Sequence, residues 1–337
     1  MTERAASRDL AEAAGLLYMT DDQPGYRRMR RGKGFTYQGL EGETLNGNER
    51  ARIESLVIPP AWDQVWISPK PRSHVLATGY DEAGRKQYIY HPDWEDARDE
   101  AKFDRMKPFG KRLIRLRKRI DSDLRMPGMA RPKVVALAVA VLDQTLIRVG
   151  SRQYVEANES YGLTTLTADH VEVAGSHVHF AFAAKGGADQ QLVFSDGRLA
   201  SLIARCQELA GQTLFSYEGD EGVGAVSSTD VNLYLADATG QSFTAKDFRT
   251  WGATAIVAGH LASNGQSDIS PAKQYLDAVD RAADRLGNTR EIARGSYVHP
   301  IVEESFNDGR LSAAWHRSRR GKWLDRSEST VNRLFQA

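Results

Sequence analysis

This chain of 337 residues has few of the features that mark exported, membrane or metal-stabilised proteins. Cys206 is the only cysteine, which excludes an internal disulfide and a cysteine-based structural zinc site. No apolar run approaches the roughly 20 residues that span a bilayer, and the first residues lack the apolar core of an export signal. We therefore expect a cytoplasmic protein with no membrane segment.

Motifs for nucleotide, metal and acyl-transfer chemistry are also missing. The chain has no Walker loop, no dinucleotide fingerprint, no His-Glu-x-x-His and no Gly-x-Ser-x-Gly. Asp121 and Asp123 form an Asp-x-Asp without the further acids and the glycine of a calcium loop. His177 and His179 share one face of a predicted strand, where polar residues are usually half-exposed rather than metal ligands. The sequence thus predicts no metal site and no cofactor.

Charge of either sign is barely in excess, since the formal net charge is +1. The basic residues are nevertheless concentrated in three segments. Residues 102–131 carry eleven Lys or Arg against three acids, and residues 310–337 carry seven against two. The third segment contains Arg27, Arg28, Arg30, Arg31 and Lys33. Local basic surface can contact phosphates in a neutral protein, but solvated helix faces have the same composition, so the clusters alone do not decide between the two.

The order of the patterns predicts two domains, a small β-rich domain of residues 1–92 and a larger, mostly helical domain of residues 93–337. The charged stretch 93–107 has few apolar residues and predicts a linker that runs into a helix. Turns containing Pro and Gly separate three extended segments of the first domain, at residues 65–68, 74–78 and 87–90.

The second domain shows helical patterns around one β-rich interruption, so the predicted fold class is α+β. Residues 133–148 are strongly apolar and predict a buried helix. Alternation over residues 163–184 predicts three short antiparallel strands, and residues 191–194 can form a returning strand. Helix start signals follow at Asp196, at Thr244 with Asp247, and at Ser270-Pro271, with a stop at Gly287.

Short motifs rich in Arg, Lys, Asn and Tyr occur in a fixed order over both domains. They are residues 56–62, 77–92, 147–150, 244–251, 286–289 and 296–300, with Lys185 at a strand end. In this order and together, they resemble the type IB DNA topoisomerases in their short poxvirus-like and bacterial form. The resemblance covers most of the chain and implies a catalytic domain of the topoisomerase IB and tyrosine recombinase type.

The resemblance implies a catalytic set of five residues. Tyr297 is the nucleophile, and Arg148 and Arg249 bind the scissile phosphate. Lys185 is the general acid that protonates the departing 5′ oxygen, and Asn288 donates a hydrogen bond to a phosphate oxygen. Guanidinium groups stay charged and pair with phosphate in a bidentate fork, and a lysine pKa moves readily near other cations. Such preorganised donors can act without a metal.

Asn288 departs from part of the family, because poxvirus members and most tyrosine recombinases carry His at this position. An asparagine donates a hydrogen bond but cannot transfer a proton. We therefore expect Asn288 to act on the transition state rather than in a proton relay.

Contacts to DNA are also implied by the resemblance. Gln87, Tyr88 and Tyr90 match a strand that faces the major groove in related enzymes, and Tyr154 and Lys246 match positions near the scissile phosphate. Because residues alternate along a strand, Tyr88 and Tyr90 should lie on one face and Gln87 on the other. The alternative for the two tyrosines is aromatic packing inside a small β-domain.

The activity implied by the resemblance is that of a type IB DNA topoisomerase, an isomerase. It would nick and reseal one strand of double-stranded DNA through a 3′-phosphotyrosine and relax positive and negative supercoils without ATP or a metal. The two domains would enclose the duplex as a clamp, and the enzyme would act as a monomer, associated with the nucleoid if the source is bacterial. The alternatives are a tyrosine site-specific recombinase, which shares the catalytic set, and a non-catalytic DNA-binding protein.

Overall fold

The computed structural model divides the chain into two compact units, Met1–Lys102 and Phe103–Ala337. The division falls inside a helix, and the domain boundary near residue 93 stays a proposal. The structure describes residues 3–32, 34–152, 155–156, 159–209, 211–220, 222–264 and 269–336.

Within its described residues, the first unit contains one antiparallel sheet and three helices. Its elements in chain order are α1 (Glu3–Ala13), β1 (Tyr26–Arg31), β2 (Gly34–Gln38), α2 (Gly47–Ser55), β3 (Asp63–Ile67), β4 (Val75–Tyr80), β5 (Lys86–Tyr90) and α3 (Pro92–Asp104). The strand order in the sheet is β2-β1-β3-β4-β5. Ile53, Val65, Ile67 and Ala77 form the centre of the core on one side of this sheet.

The three extended segments predicted for this unit are confirmed as β3, β4 and β5, whereas β1 and β2 were not predicted. Four of the six residues of β1 are arginines, which leaves no alternation of apolar and polar residues to read. Arg28 fits the strand because its guanidinium donates to the Ile58 and Pro59 carbonyls at 3.1 and 3.0 Å and lies over the Phe35 ring. One arginine of the third basic cluster is therefore structural.

Helix α3 corrects the predicted linker over residues 93–107. Pro92 opens the helix, and Asp93 and Glu95 lie in its first turn, where acidic groups favour the positive end of the helix dipole. Trp94 is buried against Ala11 and Leu16 of the first unit. The burial of this one aromatic side chain orders the segment, so its low apolar content did not indicate a linker.

The second unit is mostly helical. Its elements are α4 (Met106–Asp123), α5 (Arg131–Thr145), β6 (Val171–Ala174), β7 (His177–Ala183), β8 (Asp189–Ser195), α6 (Gly197–Glu208), β9 (Ser216–Gly219), β10 (Gly222–Ala225), α7 (Ser228–Thr239), α8 (Ala245–Ser263), α9 (Pro271–Leu286), α10 (Arg290–Ser296), α11 (Ile301–Asn307), α12 (Arg310–Arg317) and α13 (Arg326–Leu334). Strands β6, β7 and β8 form one antiparallel sheet, and β9 pairs with β10.

Helix α5 lies at the centre of this unit. Every residue from Val134 to Leu142 is buried, which confirms the predicted apolar helix. The helix ends at Thr145 because Leu146 adopts a left-handed conformation with φ of 58°. Around it, the Phe109 ring of α4 packs edge-on against the rings of Phe243 and Phe248.

Of the three strands predicted over residues 163–184, the prediction of the first is wrong. Leu163–Thr165 forms a 3-10 turn, whose backbone N–H groups at Leu163 and Thr164 donate to the carbonyls of Arg148 and Val149. These bonds satisfy the backbone locally, so the segment does not join the sheet. The other two strands and the returning strand are confirmed as β6, β7 and β8.

The predicted helix starts are confirmed at side-chain caps. Asp196 accepts from the Arg198 and Leu199 N–H groups at the start of α6, Thr244 and Asp247 form a capping box on α8, and Ser270 caps α9. The α+β fold is thus as predicted. Within the described ranges, no helix is long and apolar enough to cross a membrane.

Candidate active site

The loop that follows α5 carries Arg148 and is held by a close approach of two backbone segments. The Arg148 carbonyl accepts from the Leu163 N–H at 2.8 Å. A Cβ on Gly162 would lie 2.6 Å from the Arg148 oxygen and 2.7 Å from the Gly150 Cα, and Gly150 itself has a φ of +79°. Only glycines fit this crossing, so the loop that carries Arg148 has little freedom to move.

Arg249 lies in the first turns of α8 with 3% of its surface exposed. Its Nη1 donates to the Leu146 carbonyl and its Nη2 donates to the Leu286 carbonyl, the latter at 2.9 Å. Burial lowers the pKa of Arg249 to about 10, so it stays charged at neutral pH. The Nε atom is buried and has no hydrogen-bond partner among the described residues. Arg249 is therefore a buried cation with one donor still unused.

Asn288 follows the end of α9. Gly287 terminates the helix in the left-handed region, with φ of 59°, and the Asn288 N–H donates to the Ala283 carbonyl. Arg148 Nη2 donates to Asn288 Oδ1 and, at 3.4 Å, to the Gly287 carbonyl. Asn288 Nδ2 is buried and has no hydrogen-bond partner in the described part of the chain. The amide is thus held by its oxygen, and apart from its effect on the Tyr297 phenol its N–H donors have no partner there.

Tyr297 lies directly after α10, where it is half-buried. Its carbonyl accepts from Thr254 Oγ1 at 3.2 Å, and its N–H donates to the Ala293 carbonyl. The guanidinium carbon of Arg249 lies 5.1 Å from the centroid of the phenol ring. The structure thus brings Tyr297 beside Arg249, Arg148 and Asn288.

The surroundings of the phenol change its acidity. Burial raises the pKa of Tyr297, but the positive charge and hydrogen bonding of Arg249, the charge of Arg148 and the amide of Asn288 outweigh burial. The pKa of Tyr297 therefore lies below its ordinary value. A more acidic phenol beside two guanidinium groups and an amide donor suits attack on a group that carries negative charge, such as a phosphodiester.

Lys185 makes no hydrogen bond or ion pair with these four residues in the part of the chain that the structure describes. It occupies the turn between β7 and β8, where Gly186 and Gly187 have positive φ and the Ala184 N–H donates to the Ala188 carbonyl. Its side chain is exposed, and no hydrogen bond or ion pair joins it to the described residues. The sequence predicts Lys185 at a strand end, and the structure places it at the tip of this hairpin. Among the described residues, it has no bond to the other four residues of the proposed catalytic set.

Comparison with known proteins identifies the family. The sequence model described as "Eukaryotic DNA topoisomerase I, catalytic core" matches residues 91–308, and the one described as "Bacterial DNA topoisomerase IB, N-terminal domain" matches residues 34–81. A DNA topoisomerase 1B of Acanthamoeba polyphaga mimivirus is 30% identical over 84% of this chain and 88% of its own length. The chain belongs to the type IB DNA topoisomerases. A DNA topoisomerase 1B of vaccinia virus (strain Copenhagen) and a DNA topoisomerase I of monkeypox virus are each 24% identical over 73% of this chain and 76% of their own.

The DNA-contact residues predicted in the first unit of this topoisomerase lie on β5. The rings of Tyr88 and Tyr90 stack with their centroids 5.6 Å apart, so the two tyrosines do share one face. Gln87 donates to Asp81 Oδ2 at 2.8 Å. In the second unit, Lys246 is exposed in the first turn of α8, and Tyr154 lies outside the described residues.

The largest basic segment of the topoisomerase, residues 102–131, divides into two sets. Six of its cations form ion pairs with carboxylates, and they are Lys102, Arg105, Arg117, Arg119, Arg125 and Arg131. The other five are exposed on α4 and make no ion pair with the described residues, and they are Lys107, Lys111, Arg112, Arg115 and Lys118. About half of this cluster is therefore used for folding. Lys33 of the third cluster lies outside the described residues.

Several groups of the site were not predicted from the sequence. Thr254 contacts the segment that carries Tyr297, because its Oγ1 lies 3.2 Å from the Tyr297 carbonyl and accepts from the His299 N–H at 3.0 Å. The carbonyls of Leu146 and Leu286 hold Arg249. A threonine inside an apolar helix and two backbone oxygens carry no signal in the sequence. Within the described ranges, no group of three or more His, Cys, Asp or Glu could hold a metal ion, and the metal-free mechanism stays a prediction.

Proposed function

We propose that this topoisomerase nicks and reseals one strand of duplex DNA through a 3′-phosphotyrosine at Tyr297. The phenol loses its proton to solvent, and its oxygen attacks the scissile phosphorus. The bond from phosphorus to the 5′ oxygen breaks, and that oxygen takes a proton from Lys185. The free 5′ hydroxyl later attacks the phosphotyrosine and restores the DNA strand and the phenol.

The observation that carries this proposal is the lowered pKa of Tyr297 in the cluster with Arg249, Arg148 and Asn288. Buried groups usually have hydrogen-bond partners, yet Arg249 Nε and Asn288 Nδ2 have none among the described residues. A phosphate oxygen is an acceptor that both donors can use. The same charges that acidify the phenol would stabilise the negative charge of the transition state.

The phosphotyrosine stores the energy of the broken phosphodiester, so the cycle requires no ATP. While the strand is open, the duplex can swivel in either direction, and supercoils of both signs are relaxed. We also infer that the enzyme acts as a monomer, since one chain contains all five catalytic residues. A relaxation rate proportional to the first power of protein concentration would support that inference.

Lys185 would act only after DNA brings the hairpin between β7 and β8 to the 5′ oxygen. Its role as general acid has a specific test in the leaving group. A 5′ sulfur leaves without protonation, because a thiol is far more acidic than an alcohol. Lys185→Met should therefore cleave an ordinary strand at least about 100-fold more slowly and a 5′-thio strand at nearly the unmodified rate. Equal losses on both substrates would remove Lys185 from this role.

DNA contacts are proposed on both units. In the first unit, Tyr88 and Tyr90 would pack on or donate to the duplex, and Gln87 would read a base edge. In the second unit, Lys246 and Tyr154 would bind near the scissile phosphate. Alanine substitution of Tyr88 should weaken DNA binding without changing the cleavage rate at saturating enzyme, whereas a purely structural role would show as a loss of thermal stability.

The experiment that tests the function is cleavage of a suicide substrate, in which the short downstream strand dissociates after the nick. The unmodified enzyme should form a covalent adduct on the 3′ end of the cut strand. Tyr297→Phe should bind the same duplex with unchanged affinity and form no adduct. If the unmodified enzyme also formed no adduct, the chain would be a non-catalytic DNA-binding protein. Relaxation of plasmids with unrelated sequences separates this activity from site-specific recombination.

A further inference from the structure

Gln190 is a polar residue at a core position of β8. Along this strand buried and exposed residues alternate, and Gln190 shares its buried face with Leu192 and Phe194. Only 7% of its surface is exposed, and it pairs in register with Phe182 of β7. The strand directly follows the turn that carries Lys185. A glutamine at a place where apolar residues pack needs a reason.

The Gln190 amide lies against the turn that precedes Asn288. A Cβ on Gly287 would be 3.1 Å from Gln190 Nε2, so the absence of a side chain at Gly287 leaves room for this amide. Gln190 Nε2 is buried and has no hydrogen-bond partner among the described residues. An unused buried donor lowers stability, and this one lies against the glycine that directly precedes Asn288.

Arg148 contacts both Gly287, against which Gln190 packs, and Asn288 of the proposed catalytic set. Its Nη2 donates to the Gly287 carbonyl and to Asn288 Oδ1. A phosphate binds a guanidinium through two parallel hydrogen bonds, so a bound phosphate would compete for the Nη2 hydrogens that these two acceptors use. If it takes the hydrogen that Asn288 Oδ1 accepts, that oxygen needs another donor to keep its amide in place. Gln190 Nε2, at the neighbouring Gly287, is a buried donor without a partner among the described residues.

We propose that Gln190 is a positioning residue. When Arg148 turns to the scissile phosphate, Gln190 Nε2 donates a hydrogen bond to Asn288 Oδ1 in its place. The replacement bond holds the Asn288 amide with Nδ2 toward the phosphate oxygen. It also joins β8, and through it the Lys185 hairpin, to the end of α9. This inference rests on the proposed function and adds a residue that acts through Asn288.

Gln190→Met tests the inference, because methionine has nearly the same length and no hydrogen-bond donor. Single-turnover cleavage should fall about 10-fold or more, since a misplaced transition-state donor costs this much or more. DNA affinity, measured in a Tyr297→Phe background, should stay within twofold. The melting temperature should stay the same or rise, because the unused buried donor is gone. The matched control is Gln191→Met on the exposed face of the same strand, which should cleave at the unmodified rate.

A double substitution separates positioning from general packing. If Gln190 acts through Asn288, Asn288→Ala with Gln190→Met should cleave no more slowly than Asn288→Ala alone. Multiplied losses, or an unmodified cleavage rate in Gln190→Met, would overturn the inference. If Gln190→Met does not fold, Gln190→Leu enters the same comparison. Adduct formation by the unmodified enzyme is checked first, because its absence would reject the proposed function rather than the role of Gln190.

Discussion

The acidity of Tyr297 depends on two opposing effects on its phenol. Burial disfavours the phenolate, whereas the positive charges of Arg249 and Arg148 favour it, and the charges prevail. Arg249 can do this because burial lowers its own pKa only to about 10, so it remains a cation throughout the neutral range. Arg249 is held by the carbonyls of Leu146 and Leu286, which leave its charge uncompensated by acids.

The first prediction concerns the pH dependence of cleavage. The single-turnover rate of the unmodified enzyme should rise with pH and level off below pH 10, because the folded phenol has a lowered pKa. Arg249→Met removes the main charge, so the plateau should move to higher pH, and the rate at pH 7.5 should fall roughly 100-fold or more. Arg148→Met should move the plateau less, since Arg148 contributes less to the shift. An unchanged plateau in Arg249→Met would contradict this account.

His299 gives a second prediction, for stability. Burial lowers its pKa to about 4, against a small opposing effect of Asp104. The ring lies between those of Phe103 and Phe335, at centroid distances of 5.1 and 4.9 Å, and its Nδ1 accepts from the Ile301 N–H. Between pH 6.5, the ordinary histidine pKa, and about pH 4, the imidazole is protonated in the unfolded chain and neutral in the folded chain. Stability therefore rises with pH through this window and is fully present above it.

The measurement is the free energy of unfolding from pH 8 to pH 5 for the unmodified chain and for His299→Asn. Asparagine can accept from the same N–H group but does not titrate. The acid-induced loss should be smaller in the variant by about 1–2 kcal/mol, after allowance for the solvent-exposed part of the ring. A difference between the two proteins that stays constant with pH would exclude His299 as the titrating group.

At the scale of single elements, the Arg148 loop depends on a crossing that admits no side chain. Gly162 has an extended conformation with φ of −157°, which any residue can adopt, so its requirement for glycine is one of space alone. A methyl group there would meet backbone atoms of Arg148 and Gly150, which cannot move aside as a flexible side chain could.

Gly162→Ala should therefore destabilise the fold by about 1–3 kcal/mol, the usual range for overpacking, and slow cleavage by displacing Arg148. The control is Gly197→Ala at the start of α6, where a Cβ would meet only Ser176 Cβ at 3.8 Å. That variant should be as stable and as active as the unmodified chain. Denaturant titration and single-turnover cleavage measure the two effects. Full activity of Gly162→Ala would show that the crossing does not position Arg148.

The elements also show where sequence patterns are informative. The bounds of α9 follow from Ser270-Pro271 at its start and Gly287 at its end, and both signals act on the nearest backbone groups. Strand β1 and helix α3 gave misleading patterns, because β1 is ordered by contacts of Arg28 with a distant segment and α3 by the burial of Trp94. Patterns of hydrophobicity predict elements that bury an apolar face and fail for those held by one or two distant contacts.

At the scale of the whole molecule, Arg117 joins three helices of the catalytic unit. From α4 it binds Asp143 of α5 and Glu328 of α13 in paired hydrogen bonds of 2.7 to 2.8 Å. Burial lowers the pKa of Arg117, but the two carboxylates outweigh burial and raise it. The guanidinium is thus one cation between two largely buried anions.

Arg117→Met should cost about 3–5 kcal/mol in unfolding free energy, because it leaves two buried carboxylates without their cation. Arg125→Met is the matched control, since the ion pair of Arg125 with Asp121 is largely exposed and should contribute less than about 1 kcal/mol. Arg117 does not touch the catalytic groups, so the folded variant should retain its cleavage rate at low temperature. Equal losses in the two variants would show that burial does not decide the strength of these pairs.

The last prediction concerns the complete reaction. In the proposed mechanism the four clustered residues would supply cations and hydrogen-bond donors to the phosphate, so plasmid relaxation should persist in EDTA at a rate close to that with magnesium. Relaxation of positively and negatively supercoiled plasmids in the two buffers measures this directly. Complete loss of activity on chelation, restored by added magnesium, would contradict the proposed mechanism.

By itself the sequence determined the α+β class and the family, because motif order and capping signals are local features of the chain. The resemblance also implies the five proposed catalytic residues. Only the tertiary structure decided how these residues are held. Arg148 meets Asn288 across 140 positions, and Arg249 is fixed by the carbonyls of Leu146 and Leu286. The placement of Gln190 beside Gly287 is likewise tertiary. Such contacts arise from the packing of α5, α8, α9 and the small sheet, which no local pattern encodes.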